Sequence, residues 1–254
     1  METNKNMLKA WWAKMEGYPN FGDLLTEYIL NKRGVEVEYV PHPKDADLIG
    51  CGSILDPVPD DFRGYIMGSG MMYDRNDKKF PRAKVISVRG KLTAKNTGIL
   101  ADKLGDVGLL LGIGVAPVPK VFRLGIIPHY VDKTNQQVFE WSKVPGVKII
   151  DVFSPIDQII SEVNMCSGIC SSSLHGLIVA DALKVPSRWI ELSDKVNGKG
   201  FKFKDYYSCY DLNINPSRYI GFVDELFNRP GIDRIIKELD DNLNEFIKNE
   251  NTNI

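Results

Sequence analysis

The feature that most narrows the fold is a rhythm that runs twice along the chain. Short apolar, β-rich runs alternate with helical patterns on either side of a stretch dense in glycine and proline. Strands that alternate with helices favour a largely parallel sheet flanked by those helices. Leu8–Trp12 reads as an opening strand, and Leu24–Asn31 as a helix that stops before Gly34. Val35–Val40 alternates strongly, and Asp47–Cys51, Tyr65–Met67 and Lys84–Val88 read as buried strands, with a helix beginning at Leu92–Asn96. From Gly98 to Pro119 the rhythm lapses around a leucine run punctuated by Gly105, Gly108, Gly112, Gly114 and Pro117, which reads as a loop-rich crossing.

The second pass predicts strands at Leu124–Pro128, Val147–Val152, Met165–Cys170 and Ser187–Glu191. Between them it predicts helices at Asn135–Lys143, at Pro155–Val163 opened by Ser154, and at Leu174–Leu183; Val223 to Lys248 is helical with charged faces. The expected architecture is α/β, with two lobes over 1–115 and 116–222 facing a central cleft. A C-terminal helical piece, 223–254, would pack back on them. Ligands of open parallel sheets sit at the C-terminal ends of the strands, where the connections diverge, so the functional question is which residues line that edge.

Composition excludes several classes of function. Thirty-two Lys and Arg against 33 Asp and Glu leave a net charge of −1, so nothing in bulk charge draws the chain to nucleic acid or an anionic membrane. An anionic substrate would have to be held by a few local cations. No stretch approaches the ~18 consecutive apolar residues of a membrane span, and the polar start Met1–Asn6 is not that of a secretory signal. Four scattered cysteines do not make a disulfide framework. Cys166 and Cys170 lie four apart with only His175 nearby, so buried free thiols are expected and no metal site.

The most informative segment is Cys170-Ser171-Ser172-Ser173-Leu174-His175-Gly176, where a strand ends, three serines turn the chain and an apolar helix begins. Free N–H groups and hydroxyls at the positive end of a helix suit a phosphate or carboxylate. Histidine in that first turn can donate a proton or a hydrogen bond. The alternative is that the serines only cap the helix and His175 only packs. Arg89 follows the strand Val85–Val88 and precedes Gly90. Its fork either reaches into the crevice, where it matches a carboxylate or phosphate at two points, or makes an ion pair. Asn20 and Asp23 sit in the turn after the first strand, as helix caps or sugar-hydroxyl ligands. His129 stands at the end of the first strand of the second half, facing the ligand edge or buried and satisfied. No dinucleotide fingerprint, Gly-Lys-Ser/Thr phosphate loop, zinc helix or nucleophile elbow appears.

Taken in order, Asn20-Phe21-Gly22-Asp23, Gly50-Cys51-Gly52-Ser53, Ser87-Val88-Arg89, Leu104-Gly105-Asp106, Pro128-His129-Tyr130, Ser171–Gly176 and Ala180–Pro186 resemble the polysaccharide pyruvyl transferase family. The resemblance covers about residues 15 to 195 and is closest to the shorter bacterial exopolysaccharide and capsule type. It implies two Rossmann-like lobes like those of the double-Rossmann (GT-B-like) glycosyltransferases. It also implies a cytoplasmic enzyme that moves pyruvyl from phosphoenolpyruvate to a pair of sugar hydroxyls, with no metal and no cofactor. Arg89 and His175 match family residues associated with the donor. Ser173 stands where many members carry arginine, and Val107 where the crossing motif often has proline. Another cation must then neutralise the phosphate, and Arg188, Lys195 and Lys202 are the candidates.

On this reading His175 and Arg89 are catalytic, and Ser171, Ser172, Ser173 and Gly176 hold the donor. Asn20, Asp23, Asp106 and His129 face the acceptor. The partners are a small-molecule donor and a carbohydrate acceptor, which lipid-linked acceptors and peripheral membrane association would also satisfy; oligomeric state stays open. Two other functions fit the same pattern: a glycosyltransferase using a nucleotide sugar, and a non-catalytic anion- or carbohydrate-binding relative.

Overall fold

The computed structural model describes residues 7–14, 17, 19–218 and 226–252. Two parallel sheets carry the chain. In the first, β1 (Leu8–Trp11), β2 (Val37–Tyr39), β3 (Leu48–Ile49), β4 (Tyr65–Ser69) and β5 (Lys84–Val88) lie in the order β2-β1-β3-β4-β5. In the second, β6 (Leu124–Ile127), β7 (Val147–Ile149), β8 (Ile169–Ser171) and β9 (Ser187–Trp189) lie in the order β7-β6-β8-β9. Every pairing between these strands is parallel. The expected α/β class and its strands are therefore present.

The helices are α1 (Phe21–Lys32), α2 (Lys91–Thr97), α3 (Gln136–Ser142), α4 (Ile156–Asn164), α5 (Leu174–Ala182), α6 (Phe201–Ser208) and α7 (Ile232–Thr252). Helix α1 begins earlier than its apolar spacing predicted, because Asn20 Oδ1 accepts the Gly22 N–H at 3.1 Å and Asp23 sits in the positive first turn. It buries Phe21, Leu25 and Ile29, spaced by four so that they share one face. Helix α5 is apolar nearly all round, and a helix of that kind must be enclosed; only His175 in it keeps appreciable exposure. Fully burying a side chain such as Leu177 or Ile178 stabilises by about 1.5–3 kcal/mol.

Four expectations need correction. The crossing is not all loop: Val107–Gly112 winds into a 3-10 turn opened by Asp106, whose Oδ1 accepts the Gly108 N–H at 2.9 Å. Helix α4 is not opened by Ser154; its cap is Pro155, with no side-chain bond. Helix α6 was not expected. The final helix starts at Ile232, and the predicted part from Val223 to Glu225 lies outside the described residues. The cysteines are free and buried, as the sequence indicated. No helix among the described residues is long and apolar enough to cross a membrane.

One apolar cluster runs through both sheets, from Ala10, Phe21 and Met67 through Leu109 to Ile127, Leu177 and Leu243. The start of α1 is tied to the second sheet's surroundings, since Phe21 N–H donates to the Val152 carbonyl at 2.9 Å.

Candidate active site

Each sheet reverses its winding beside its first strand, between β1 and β3 in one and between β6 and β8 in the other. Such switch points are where doubly wound sheets leave a crevice. Here the two crevices supply one cavity of about 180 Å³. Asn20 and Asp23 follow β1, and Ser53 and Ile54 follow β3; His129 and Tyr130 follow β6, and Ser173 and His175 follow β8. Lys195, Asn197 and Lys202 close the remaining side together with Met72. A larger cavity, about 750 Å³, lies at the starts of β1, β4 and β5 against α7. That is the strand end which ligands of parallel sheets avoid, so the smaller cavity is the candidate site.

The three serines divide the work. Ser171 Oγ lies 2.8 Å from both the Ile127 carbonyl at the end of β6 and the Ser173 carbonyl, which share its one proton, and it accepts the Ser173 N–H at 3.0 Å. Ser172 Oγ donates to Asp132 Oδ2 at 2.7 Å and accepts the His129 N–H at 2.9 Å, which fixes His129 at the cavity rim. Only Ser173 lines the cavity, and as the cap of α5 it makes no side-chain bond to the first turn. The helix start is therefore open to an anion. Gly176 does not line the cavity with a side chain: a Cβ there would lie 2.3 Å from Ser171 Oγ, so the bare glycine serves close packing of α5 on β8.

The Nδ1 side of the His175 ring abuts Gly22. A Cβ on Gly22 would lie 2.0 Å from His175 Nδ1, so the bare glycine of α1 is what admits the ring. Its Nε2 is buried with no hydrogen-bond partner. Burial first, then the charges of Lys202 and Arg89, pull the His175 pKa down to about 3. His129 is pulled down to about 3 by burial and Lys202. Its Nδ1 accepts the Val131 N–H at 3.4 Å, which puts the ring proton on Nε2. Both rings are neutral near pH 7.

The charged side chains lining the cavity are Asp23, Lys195 and Lys202. Burial pushes the Asp23 carboxyl up to about 7, partly offset by Lys202. Burial and Arg89 pull Lys202 down to about 8, against Asp23 and Asp132, which favour its charge. Lys202 is 7% exposed and stays largely protonated near neutral pH. A buried ammonium facing a cavity is costly unless something anionic joins it.

Arg89 is placed differently from the expected open fork. It is fully buried, and every arm is engaged: Nε donates to Asp205 Oδ2 at 2.8 Å, Nη1 to Ser53 Oγ at 2.5 Å and Nη2 to the Met71 carbonyl at 2.6 Å. Asp205 also takes the Thr93 N–H at 2.7 Å, tying α6 to the start of α2. Arg89 thus stands one residue behind the cavity and reaches it through Ser53. Asp106 likewise lies behind it, with zero exposure and a carboxyl that burial raises to about 6. Cys51 Sγ, a carboxylate oxygen of Asp106 and a ring nitrogen of His175 lie within 4.8 Å of one another, and among the described residues these three form the group that could hold a metal.

Of the predicted site residues, the cavity gathers Asn20, Asp23, His129, Ser173 and His175, and leaves Arg89, Asp106, Ser171, Ser172 and Gly176 in the layer around it. Of the candidate cations Lys195 and Lys202 reach it, while Arg188, on β9, does not line it. Sequence reasoning missed Ser53, Met72, Tyr130 and Asn197. Ser53 had a signal, as the polar end of the glycine turn after β3; Asn197 had none.

The fold and cavity define an α/β protein built to receive a ligand at the C-terminal edges of two parallel sheets. Residues 20–194 match the model of the polysaccharide pyruvyl transferase family, and the chain belongs to that family. It is 30% identical over 193 residues to uncharacterized protein L143 of Acanthamoeba polyphaga mimivirus, covering 69% of this chain and 62% of that protein. It is 26% identical over 224 residues to the succinoglycan biosynthesis protein ExoV of Rhizobium meliloti (strain 1021), covering 84% of this chain and 67% of that one. The chain thus spans about two thirds of the length of these relatives.

Proposed function

We propose that this protein transfers pyruvyl from phosphoenolpyruvate to a pair of sugar hydroxyls in the cytoplasmic assembly of an exopolysaccharide or capsule precursor, with the two sheets acting as GT-B-like lobes. The observation that carries the reading is the cavity itself. A helix start without a side-chain cap, a buried ammonium and a neutral histidine converge in about 180 Å³. That volume is below the ~300 Å³ lower bound of pockets for larger ligands, and it suits a small dianion better than a nucleotide sugar. The similarity to ExoV, a succinoglycan biosynthesis protein, points the same way.

In this reading Lys202, helped by Lys195, supplies the cation that Ser173 does not, and the α5 start takes the remaining phosphate oxygens. Arg89 holds Ser53 at the rim. Ketal formation needs a proton on the donor's methylene carbon, which leaves an oxocarbenium-like centre at C2. One acceptor hydroxyl attacks that centre, and a second displaces phosphate to close the ring. His175 stands where the carbon proton is delivered. Asp23, with its carboxyl near neutrality, takes the proton of an acceptor hydroxyl, while Asn20 and His129 orient that acceptor.

The test is phosphate release from phosphoenolpyruvate in the presence of lipid-linked and nucleotide-linked sugars, with His175→Ala as control. Release that needs an acceptor and falls by ~10²–10⁴-fold in the variant supports the reading. Thermal stabilisation by nucleotide sugars but not by phosphoenolpyruvate would transfer the site to a glycosyltransferase. Binding of phosphoenolpyruvate with no release against any acceptor would make the chain a non-catalytic relative.

A further inference from the structure

Behind the cavity three distant segments of the chain meet. Cys51 follows β3, Asp106 opens the 3-10 turn of the crossing, and His175 lies in the first turn of α5. A sulfur, a carboxylate oxygen and a ring nitrogen from these three lie within 4.8 Å of one another. Within the group, Asp106 Oδ2 and His175 Nε2 are each buried without a hydrogen-bond partner. A buried polar atom left unpaired costs about 1–3 kcal/mol, so two in one cluster call for a ligand that satisfies both. All three residues are braced from outside the group. Asp106 Oδ1 accepts the Gly108 N–H at 2.9 Å, and the Gly105 N–H donates to the Val88 carbonyl at 2.8 Å. Gly22 and Thr26 lie four apart, on one face of α1. Thr26 Oγ1 accepts the Cys51 N–H at 3.0 Å, and the bare Gly22 lets the His175 ring close in. Outer partners of this kind orient the ligands of a metal centre.

We propose that Cys51, Asp106 and His175 form a divalent-metal site of the zinc class, which ties the two halves of the chain together behind the cavity. Thiolate, imidazole and carboxylate are a ligand set that suits zinc, and three protein ligands leave a fourth position for water or a substrate atom. Zinc bonds of ~2.0–2.3 Å require each ligand atom of a group this wide to move inward by less than about 1 Å. With one ring nitrogen on the metal, the proton of the imidazole is confined to the other. The site needs neither phosphoenolpyruvate nor a sugar, so it stands apart from the pyruvyl-transfer reading.

The charges close. On binding, the S–H bond of Cys51 gives way to a sulfur–metal bond and the thiol proton leaves to solvent. The thiolate and the Asp106 carboxylate then balance the two positive charges of the ion, and the imidazole stays neutral. Asp106 gains most from this. It is wholly buried, and the guanidinium that acts on it, that of Arg89, is already paired with Asp205. A buried carboxylate without a cation of its own is costly.

The test uses the full chain, stripped with a chelator and reloaded, with circular dichroism to check the fold of each variant. The native protein should take up zinc in a one-to-one ratio by elemental mass spectrometry, and zinc should raise its Tm. Cobalt(II) in its place should show an intense thiolate charge-transfer band and the visible bands of four-coordination. Cys51→Ser should lose the charge-transfer band, whereas Cys166→Ser, a buried thiol of the second half, should keep it. Thr26→Val, which removes only the support of Cys51, should lower zinc affinity by ~10–100-fold and leave the band in place. Asp106→Asn and His175→Gln should each lower the affinity by more than that. Uptake well below one-to-one, cobalt without the thiolate band, or a band that survives Cys51→Ser overturns the site. Phosphate release plays no part in these readouts, so a failed metal site and a failed pyruvyl transfer are told apart.

Discussion

Lys202 shows how one side chain can be named from sequence and yet gain its meaning only in place. The chain was expected to need a substitute cation, because Ser173 stands where the resemblance calls for arginine, and Lys202 was one of three candidates. The fold buries its stem and turns the ammonium to the cavity with no carboxylate in salt-bridge contact among the described residues. Replacing Lys202 by Met should keep the fold and weaken phosphoenolpyruvate binding by ~10–100-fold, the worth of a hydrogen bond to a charged group. Because the binding form is the protonated amine, native affinity should hold below about pH 8 and fall above it, where the ammonium of the empty site loses its proton. Lys202→Met should lose that pH limb, and calorimetric titration across the range reads both effects. Arg89 illustrates the converse. Its position at a strand end was legible, but its partner Asp205 lies 116 residues on, in a helix whose sequence did not announce it. A guanidinium that meets a buried carboxylate becomes structure, and breaking such a pair costs about 3–5 kcal/mol.

Among the elements, the junction of α1 with α5 matters most to the site. Two helix starts from different halves of the chain meet there, and the contact is a glycine against an imidazole. Gly22→Ala should add helix propensity to α1, worth roughly 0.5–1 kcal/mol, while pushing the His175 ring out of place. A displacement near 1 Å can cost ~10²-fold in rate. The expected result is an unchanged or slightly higher Tm with kcat reduced about a hundredfold, measured on the same preparation; near-native turnover would show that the ring has room to move. The same scale explains which elements the sequence announced. Strands at β1, β4, β5 and β6 were legible because apolar runs ended by glycine or polar turns mark buried parallel strands. Helix α6, Phe201–Ser208, was not, because lysines and aromatics alternate in it and Gly198 and Gly200 precede it. It forms because Phe203 stacks on Trp189 at 4.4 Å between ring centres and Asp205 locks onto Arg89, contacts that exist only after folding.

For the molecule as a whole, the question is whether its two sheets behave as one body. The apolar cluster crosses from β1 and α1 through the 3-10 turn to α5, and α7 adds Leu239, Leu243 and Phe246 to it. Shared burial of this kind couples the halves, so denaturant unfolding should follow a single transition at both fluorescence and circular-dichroism wavelengths. Leu243→Ala, which empties a wholly buried position, should shift that one transition by about 2–5 kcal/mol. Two separated transitions, with the substitution moving only one, would mean that the sheets fold independently.

The sequence by itself determined the α/β class, the doubled rhythm and the turn at Ser171–Gly176, because periodicity, glycine placement and apolar runs act over a few neighbours and need no distant partner. Ordered motifs also carried the family resemblance, since order along the chain is a property of sequence. The tertiary structure alone decided that the two switch points share a cavity, that Arg89 and Asp106 stand behind it and that Lys202 enters it. Burial and charge pairing depend on which distant segments meet, and for Arg89 and Asp205, or for Asp106 and His175, that meeting happens only once both sheets are in place.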